Sequence, residues 1–297
     1  MIAKKSFRAL LQEKKFLSVP GTFNALVARM IEDHGFDAVY CTGGGLCTSL
    51  LGMPDIGLVT LTEFAQMVGH ISSAVEIPVI SDADTGFGNA INVIRAVQEF
   101  EKAGVSGIHI EDQVMAKRCG HVAGKEVIAA GEMAGKIRAA CFARRNPEFS
   151  VIARTDARAV EGMEGAVARA LLYKEAGADI IFPEALQTAE ELVAFRQAVP
   201  DIPLIANMTE YGKTPYFTAT EWHKMGYQIV IFPVTTMRIA MKAVDDFLGD
   251  LKATGTQKNW LDRMQTRAEL YKAVHYERYT DWENEYLPAG GVAPIQE

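Results

Sequence analysis

Six consecutive residues, Ala116-Lys117-Arg118-Cys119-Gly120-His121, set a thiol among two cations and an imidazole. Neighbouring positive charge stabilises a thiolate and lowers a cysteine's pKa, which fits a thiol to act as nucleophile, acid or base. The bland alternative is an exposed basic loop with an incidental cysteine. Cys41, Cys47 and Cys141 have no such neighbours and read as small buried hydrophobes. No CxxC spacing occurs, so neither a zinc ribbon nor a disulfide scaffold is expected, and the thiols fit a reducing, cytoplasmic compartment.

A second group is acidic. Asp82 and Asp84 in SDADTGFG, Glu111 in GIHIEDQ, Asp156 in ARTDA and Glu184 in FPEA each follow a short apolar run. If these run ends converge in space, the carboxylates repel one another unless something neutralises them. A hard divalent cation held by Asp82 and Asp84 and completed by water would do so, and Mg²⁺ suits such a site. The alternative is that each acid caps the next helix or pairs with an arginine such as Arg154. Thr42-Gly43-Gly44-Gly45 can present backbone N–H groups to an anion, a weak signal by itself. Asp55, after Pro54, is a turn former or a site residue. Arg238 and Arg267 read as surface residues from sequence pattern alone.

The chain of 297 residues carries a net charge of −7, yet Lys117, Arg118, His121 and Arg154 would gather beside a metal. Cations next to a bound cation make sense if the ligand itself carries several negative charges: a polycarboxylate, a phosphorylated compound or a phosphonate. The acidity and the absence of a basic run argue against nucleic acid. No run of about 18 apolar residues exists to cross a membrane, and the N-terminal MIAKKSFRALLQEKK lacks a signal-peptide core.

The elements that must position these groups alternate. Apolar runs at 16–21, 37–43, 77–84, 107–113, 150–156, 179–185, 202–209 and 227–234 read as buried parallel strands. Helical patterns fall at 23–34, 62–74, 90–103, 131–145, 161–176, 188–198, 218–225 and 236–253. Strand then helix, eight times, predicts an α/β fold, a (β/α)8 TIM barrel, over an open doubly wound sheet. Gly35, Gly104, Gly177 and Gly226 are placed to end helices in the left-handed conformation. The barrel is expected over 1–254, with a C-terminal helical extension at 255–297 whose Trp260, Leu261, Met264 and Leu270 form one apolar face. Two long connections, 43–61 and 113–130, leave the C-terminal strand ends, where barrel active sites sit. Alternation puts Asp82 with Asp84, His109 with Glu111, and Arg154 with Asp156 on common faces.

On these residues the chain resembles the isocitrate lyase and phosphoenolpyruvate mutase superfamily. TGGG (42–45), SDADTGFG (81–88), GIHIEDQ (107–113), AKRCGH (116–121), ARTDA (153–157) and FPEA (182–185) carry the likeness over nearly the whole length. The KRCGH loop is specific to the carbon–carbon lyases. NMTEYGKTP (207–215) and the segment 255–271 are similar to the branch that splits (2S,3R)-2-methylisocitrate into pyruvate and succinate in propionate breakdown. The resemblance implies Mg²⁺ on Asp82 and Asp84, Thr42, Gly43 and Gly44 at the pyruvate end, and Cys119 as the acid that protonates the succinate carbanion. It implies substrate contacts from Gly120, Arg154, Glu184, Asn207, Met208, Thr209, Arg238 and Arg267, with Tyr40 and Asp55 near the metal. Lys117, Arg118, His121 and Glu111 complete the expected site, and Tyr40 is the expected base. It further implies a homotetramer that exchanges the last barrel helix between subunits. Close relatives read NITEFG where this chain reads NMTEYG at 207–212, midway to the forms that cleave dimethylmalate or oxaloacetate. Substrate choice among these acids and isocitrate therefore stays open, as does a non-catalytic carboxylate-binding barrel.

Overall fold

Eight short strands occupy the eight apolar runs: β1 (Leu17–Thr22), β2 (Val39–Cys41), β3 (Val79–Asp82), β4 (Gly107–Glu111), β5 (Ser150–Thr155), β6 (Ile180–Pro183), β7 (Ile205–Asn207) and β8 (Ile229–Phe232). The structure is a computed structural model that describes residues 5–118, 120 and 124–287. All strand pairs are parallel, in the order β6-β5-β4-β3-β2-β1-β8-β7. A parallel bridge between Ile181 and Leu204 joins β6 to the β7 side and nearly closes the ring. The (β/α)8 expectation holds.

Helices α2 (Ala25–Asp33), α4 (Leu61–Ala74), α5 (Ala90–Lys102), α6 (Ala130–Ala143), α7 (Gly162–Glu175), α8 (Ala189–Ala198), α9 (Ala219–Lys224) and α10 (Thr235–Thr254) match the eight helical patterns within a residue or two. Thr60 with Glu63 and Thr218 with Glu221 form reciprocal capping boxes that start α4 and α9. The four helix-ending glycines all adopt positive φ, from 80° at Gly35 to 103° at Gly177. Within the 43–61 connection, the glycine turn is the body of a short helix, α3 (Gly43–Leu46), capped by Thr42 and continued by a π-turn over Cys47–Leu51.

The strand alternation sorts the core into two layers. Val39, Cys41, Ile108, Ile110, Val151, Ala153 and Ile181 face the helices. Leu17, Val19, Tyr40, Ile80, Ile152, Ile180, Phe182, Ile205, Ile229 and Ile231 fill the barrel interior, joined by Phe7, Leu10 and Leu11 of α1 (Phe7–Lys14). This first helix is absent from the sequence reading. Its apolar residues stand at i, i+3 and i+4, but the charges between them hide the pattern. It lies at the N-terminal strand ends: Arg8 donates to the Pro147 carbonyl at 3.0 Å and pairs with Asp179 at 3.3 Å, just before β5 and β6. The floor of the barrel is thus sealed, and polar chemistry is left to the opposite mouth.

By packing, the chain divides into Met1–Met237 and Arg238–Glu297, so most of α10 groups with the C-terminal segment. In that second unit a 3-10 turn (Lys258–Arg263), α11 (Arg267–Ala273) and α12 (Tyr276–Tyr286) follow α10. Trp260 donates to Asp250 at 2.9 Å and meets Phe247 edge-on at 5.6 Å. Leu261, Met264 and Leu270 of the expected apolar face are exposed, as are Ile239, Val244 and Leu248 of α10. Among the described residues no helix is long and apolar enough to cross a membrane.

Phe7 is fully buried, so Phe7→Ala is expected to cost about 3–5 kcal/mol of stability. Urea unfolding measures this, and a wild-type midpoint would show that α1 does not seal the barrel.

Candidate active site

Register decides which side chains meet at the mouth. Asp82 pairs with His109, and Glu111 pairs with Arg154. Residues two apart point the same way, so Asp82, Glu111, Arg154, Asp156 and Glu184 rise from the interior face as a ring above Tyr40, His109 and Phe182. All five are buried.

Arg154 is the centre. Its Nε donates to Asp156 Oδ2 at 2.9 Å and its Nη2 to Asp156 Oδ1 at 3.2 Å, a bidentate pair. Glu111 Oε2 and Glu184 Oε2 each stand 3.4 Å from the guanidinium, which also lies over the Phe182 ring at 5.2 Å. Asn207 donates to Glu184 at 3.1 Å. Burial opposes the charge on Arg154, but Asp156, Glu111 and Glu184 outweigh it and hold the pKa well above its ordinary value. Burial pushes Glu111 well above the usual carboxylate range, against the pull of Arg154 and Lys117.

The second focus is the turn after β3. Asp84 (φ 45°) and Phe87 (φ 60°) hold left-handed backbone that only a well-determined environment maintains. The turn is tied down by Asp84 N donating to Asp82 Oδ1 at 2.9 Å, and by Lys136 Nζ donating to the Thr85 carbonyl at 3.0 Å. Lys117 enters from the 113–130 loop and sits 2.5 Å from Asp55 and 2.9 Å from Asp84. Burial raises Asp82, and burial raises Asp84 to about 6 despite Lys117. The Tyr40 hydroxyl and His109 Nε2 share a hydrogen bond at 2.8 Å, and His109 Nε2 is 3.6 Å from Asp82. Burial drives the pKa of His109 far down, so the ring is neutral. Burial, followed by Asp82, drives that of Tyr40 far up.

These donors fit a hard cation. Both Glu111 oxygens are buried without a hydrogen-bond donor. A Cβ at Gly43 would stand 2.4 Å from Asp82 Oδ2, so only glycine leaves that oxygen its place. Among the described residues no three His, Cys, Asp or Glu side chains are disposed to grip an ion together. A metal here would therefore rest on one or two carboxylates and fill its shell with water and ligand, the habit of Mg²⁺.

The 113–130 loop folds onto this mouth. Gln113 clamps Arg118 from both sides, accepting from its N–H and donating to its carbonyl at 2.8 Å each. Val114 N donates to Glu126 O and Ile128 N to Asp112 O, both at 2.9 Å, which closes the loop base. A Cβ at Gly120 would stand 2.6 Å from Arg154 Nη2 and from Glu184 Cγ, so the loop backbone lies directly against the arginine. Lys125 Nζ bonds the Gly120 carbonyl, and Asp156 Oδ1 at 2.8 Å. Behind the mouth, Asp112 accepts from Thr155, Tyr173 and the Asp156 N–H, each at 2.8 Å.

Of the residues expected from sequence, Tyr40, Thr42, Gly43, Gly44, Asp55, Asp82, Asp84, Glu111, Lys117, Gly120, Arg154, Glu184 and Asn207 all lie at this mouth. Cys119 and His121 lie outside the described residues. Arg118 is exposed, with its guanidinium beside Gly124. Met208 is buried, Thr209 is half-buried, and Arg238 and Arg267 belong to the second unit. Cys41 and Cys47 are buried as expected, and Cys141 is half-buried. Asp156 joins the network as one of the acids expected to converge, and His109 lies on the face of Glu111 as the alternation requires. Asp112 and Lys125 were not among the expected site residues; Asp112 follows Glu111 directly, which could have marked it. Nothing in the sequence marks Lys125.

A family model described as phosphoenolpyruvate phosphomutase matches residues 7–252. The chain is 51% identical to a 2-methylisocitrate lyase of Aeropyrum pernix, over 92% of this chain and 87% of that protein. It is 46% identical to a 2,3-dimethylmalate lyase of Eubacterium barkeri, over 94% and 96% respectively. Among solved structures, a 2,3-dimethylmalate lyase superposes with a TM-score of 0.90 at 36% identity, covering 97% of each chain. A phosphonopyruvate hydrolase in complex with oxalate and Mg²⁺ does so with a TM-score of 0.85 at 32% identity, covering 94% and 97%.

Two outcomes test this geometry. Gly43→Ala is expected to displace Asp82 and weaken any binding of added Mg²⁺ measured by titration calorimetry about 10- to 100-fold; unchanged binding would separate Asp82 from the ion. Burial pushes the Cys41 thiol up to about 12, so it should resist iodoacetamide at pH 8 in the native protein and react in urea. Peptide mass spectrometry reads this, and labelling of the native protein would contradict it.

Proposed function

The chain belongs to the phosphoenolpyruvate phosphomutase family, and from that membership we propose a carbon–carbon lyase that cleaves (2S,3R)-2-methylisocitrate to pyruvate and succinate with Mg²⁺ and a cysteine acid. The similarity at 51% identity to a 2-methylisocitrate lyase supports the substrate. The observation that carries the mechanism is the position of Gly120. Its backbone lies against Arg154 and Glu184, which lays the 113–130 loop on the charged mouth.

The substrate is a small trianion. Lys117 and Arg154 supply positive field where it enters, and Asn207 with Glu184 forms a polar wall that can accept and donate to a carboxyl group. Arg118, His121, Met208, Thr209, Arg238 and Arg267 complete the proposed substrate contacts, and Thr42, Gly43 and Gly44 receive the pyruvate end. Asp82 and Asp84 would hold Mg²⁺, which when bound makes the C2 hydroxyl more acidic and anchors its neighbouring carboxylate. The hydroxyl proton passes to the Tyr40 oxygen as the phenol gives its own proton to Nε2 of the neutral His109, its hydrogen-bond partner. As the C2–C3 bond breaks, electrons pass into the succinate half, where Arg154 stabilises the developing charge. Cys119 delivers the final proton. The buried mouth excludes water that would otherwise quench the carbanion unselectively.

The 46% likeness to a 2,3-dimethylmalate lyase favours one second reading, a sister lyase on that acid. We further infer a cytoplasmic homotetramer that exchanges α10. Support comes from α10 itself, which buries no residue although it carries Ile239, Val244 and Leu248.

Purified protein with Mg²⁺ should release pyruvate from methylisocitrate faster than from dimethylmalate, oxaloacetate or isocitrate. Preference for another acid would overturn the substrate. Cys119→Ser should lower kcat about 10²- to 10⁴-fold, and EDTA should abolish turnover. Unchanged turnover in either case would remove the corresponding role.

A further inference from the structure

Lys125 stands on the return limb of the 113–130 loop and takes no part in the steps above. A loop lysine ordinarily reaches out to water. Here the side chain is 1% exposed, and its ammonium has two acceptors: the Gly120 carbonyl and Asp156 Oδ1 at 2.8 Å. Asp156 is itself fully buried and spends both oxygens on Arg154. Without Lys125, the single Arg154 guanidinium would answer three carboxylates, Asp156, Glu111 and Glu184.

We propose that Lys125 is a positioning residue for the lyase reaction: it clasps the peptide beside Cys119 to Asp156 and draws Asp156's charge away from Arg154. The guanidinium then keeps its field for the anionic half of the substrate. The proposal rests on the lyase reading for its kinetic part. A purely structural tether is the competing explanation, and the geometry separates the two. The Asp156 backbone is held independently by Asp112, its N–H donating at 2.8 Å. The outgoing limb of the loop is held independently by the Gln113 clamp on Arg118. Removing the ammonium therefore leaves Asp156 and the loop base in place. What changes is the charge that Arg154 feels and the grip on Gly120. Because Asp156 connects the two cations, its own removal should partly substitute for Lys125.

The test uses the full chain and whichever of the four acids the wild type cleaves. Lys125→Met keeps the aliphatic stem and should lower kcat about 100-fold, as expected for a small misplacement at the reacting centre, with KM little changed. Lys125→Arg should recover most of the loss. Lys125→Met combined with Asp156→Asn should be no worse than the poorer single variant, since the two act through one contact. Hydrogen exchange at Gly120 should quicken in Lys125→Met while Gln113–Arg118 and the barrel strands stay protected. A wild-type kcat in Lys125→Met, or additive losses in the double variant, would overturn the proposal. If the wild type cleaves none of the acids, the lyase reading fails instead, and exchange alone decides the clasp: unchanged exchange refutes it.

Discussion

One buried guanidinium holds this mouth together. Arg154 meets Asp156 through two hydrogen bonds and stands 3.4 Å from both Glu111 and Glu184. Removing charges from water costs several kcal/mol per ion, roughly, unless each finds a partner. An acidic ring with no cation would not stay both folded and ionised. Around Arg154 the ring divides into a side neutralised by Lys125 and a side that Lys117 bridges to Asp55 and Asp84. Glu111, between them, keeps two buried oxygens with no donor. Those two unsatisfied oxygens are the part of the ring that its own side chains leave without a hydrogen bond.

The scaffold is arranged so that this charge can be tolerated. Isoleucines fill the barrel below the ring, and α1 closes the far end with Phe7, Leu10 and Leu11. Water therefore reaches the charged layer from one side only. Burial above this low-dielectric floor raises Asp82 and Asp84 and keeps His109 neutral. The left-handed turn at Asp84 and Phe87 belongs to the same arrangement, with Asp84 N–H donating to Asp82 Oδ1 and Asp84 meeting Lys117. The helix that follows has its own cap, Asn89, which accepts from Ile91 and Asn92.

The loop turns a static ring into a site with reach. Gln113 and the Val114–Glu126 pairing set its base, Lys117 and Lys125 plant one cation on each side of Arg154, and Gly120 lets the backbone approach the guanidinium. Each contact serves position as well as charge. A larger residue at 120 would occupy space held by Arg154 and Glu184.

Much of this was legible in the amino-acid order. Eight apolar runs alternating with eight amphipathic segments determine the barrel, because each run must bury both faces and each helix one. Two-residue spacing puts His109 with Glu111 and Arg154 with Asp156 on common faces of their strands, while the register between strands brings Asp82, Glu111 and Arg154 together. The thiol-bearing loop stands out by composition. Tertiary structure alone decided the partners. Asp156 and Lys125 are 31 residues apart, and Asp112 meets Tyr173 across 61, so no local pattern announces either contact. It also decided that α1 seals the floor, a role its interleaved charges conceal. Local propensity and periodicity are written in short stretches of chain. Which charge answers which in a dry interior depends on distances that exist only once the barrel closes.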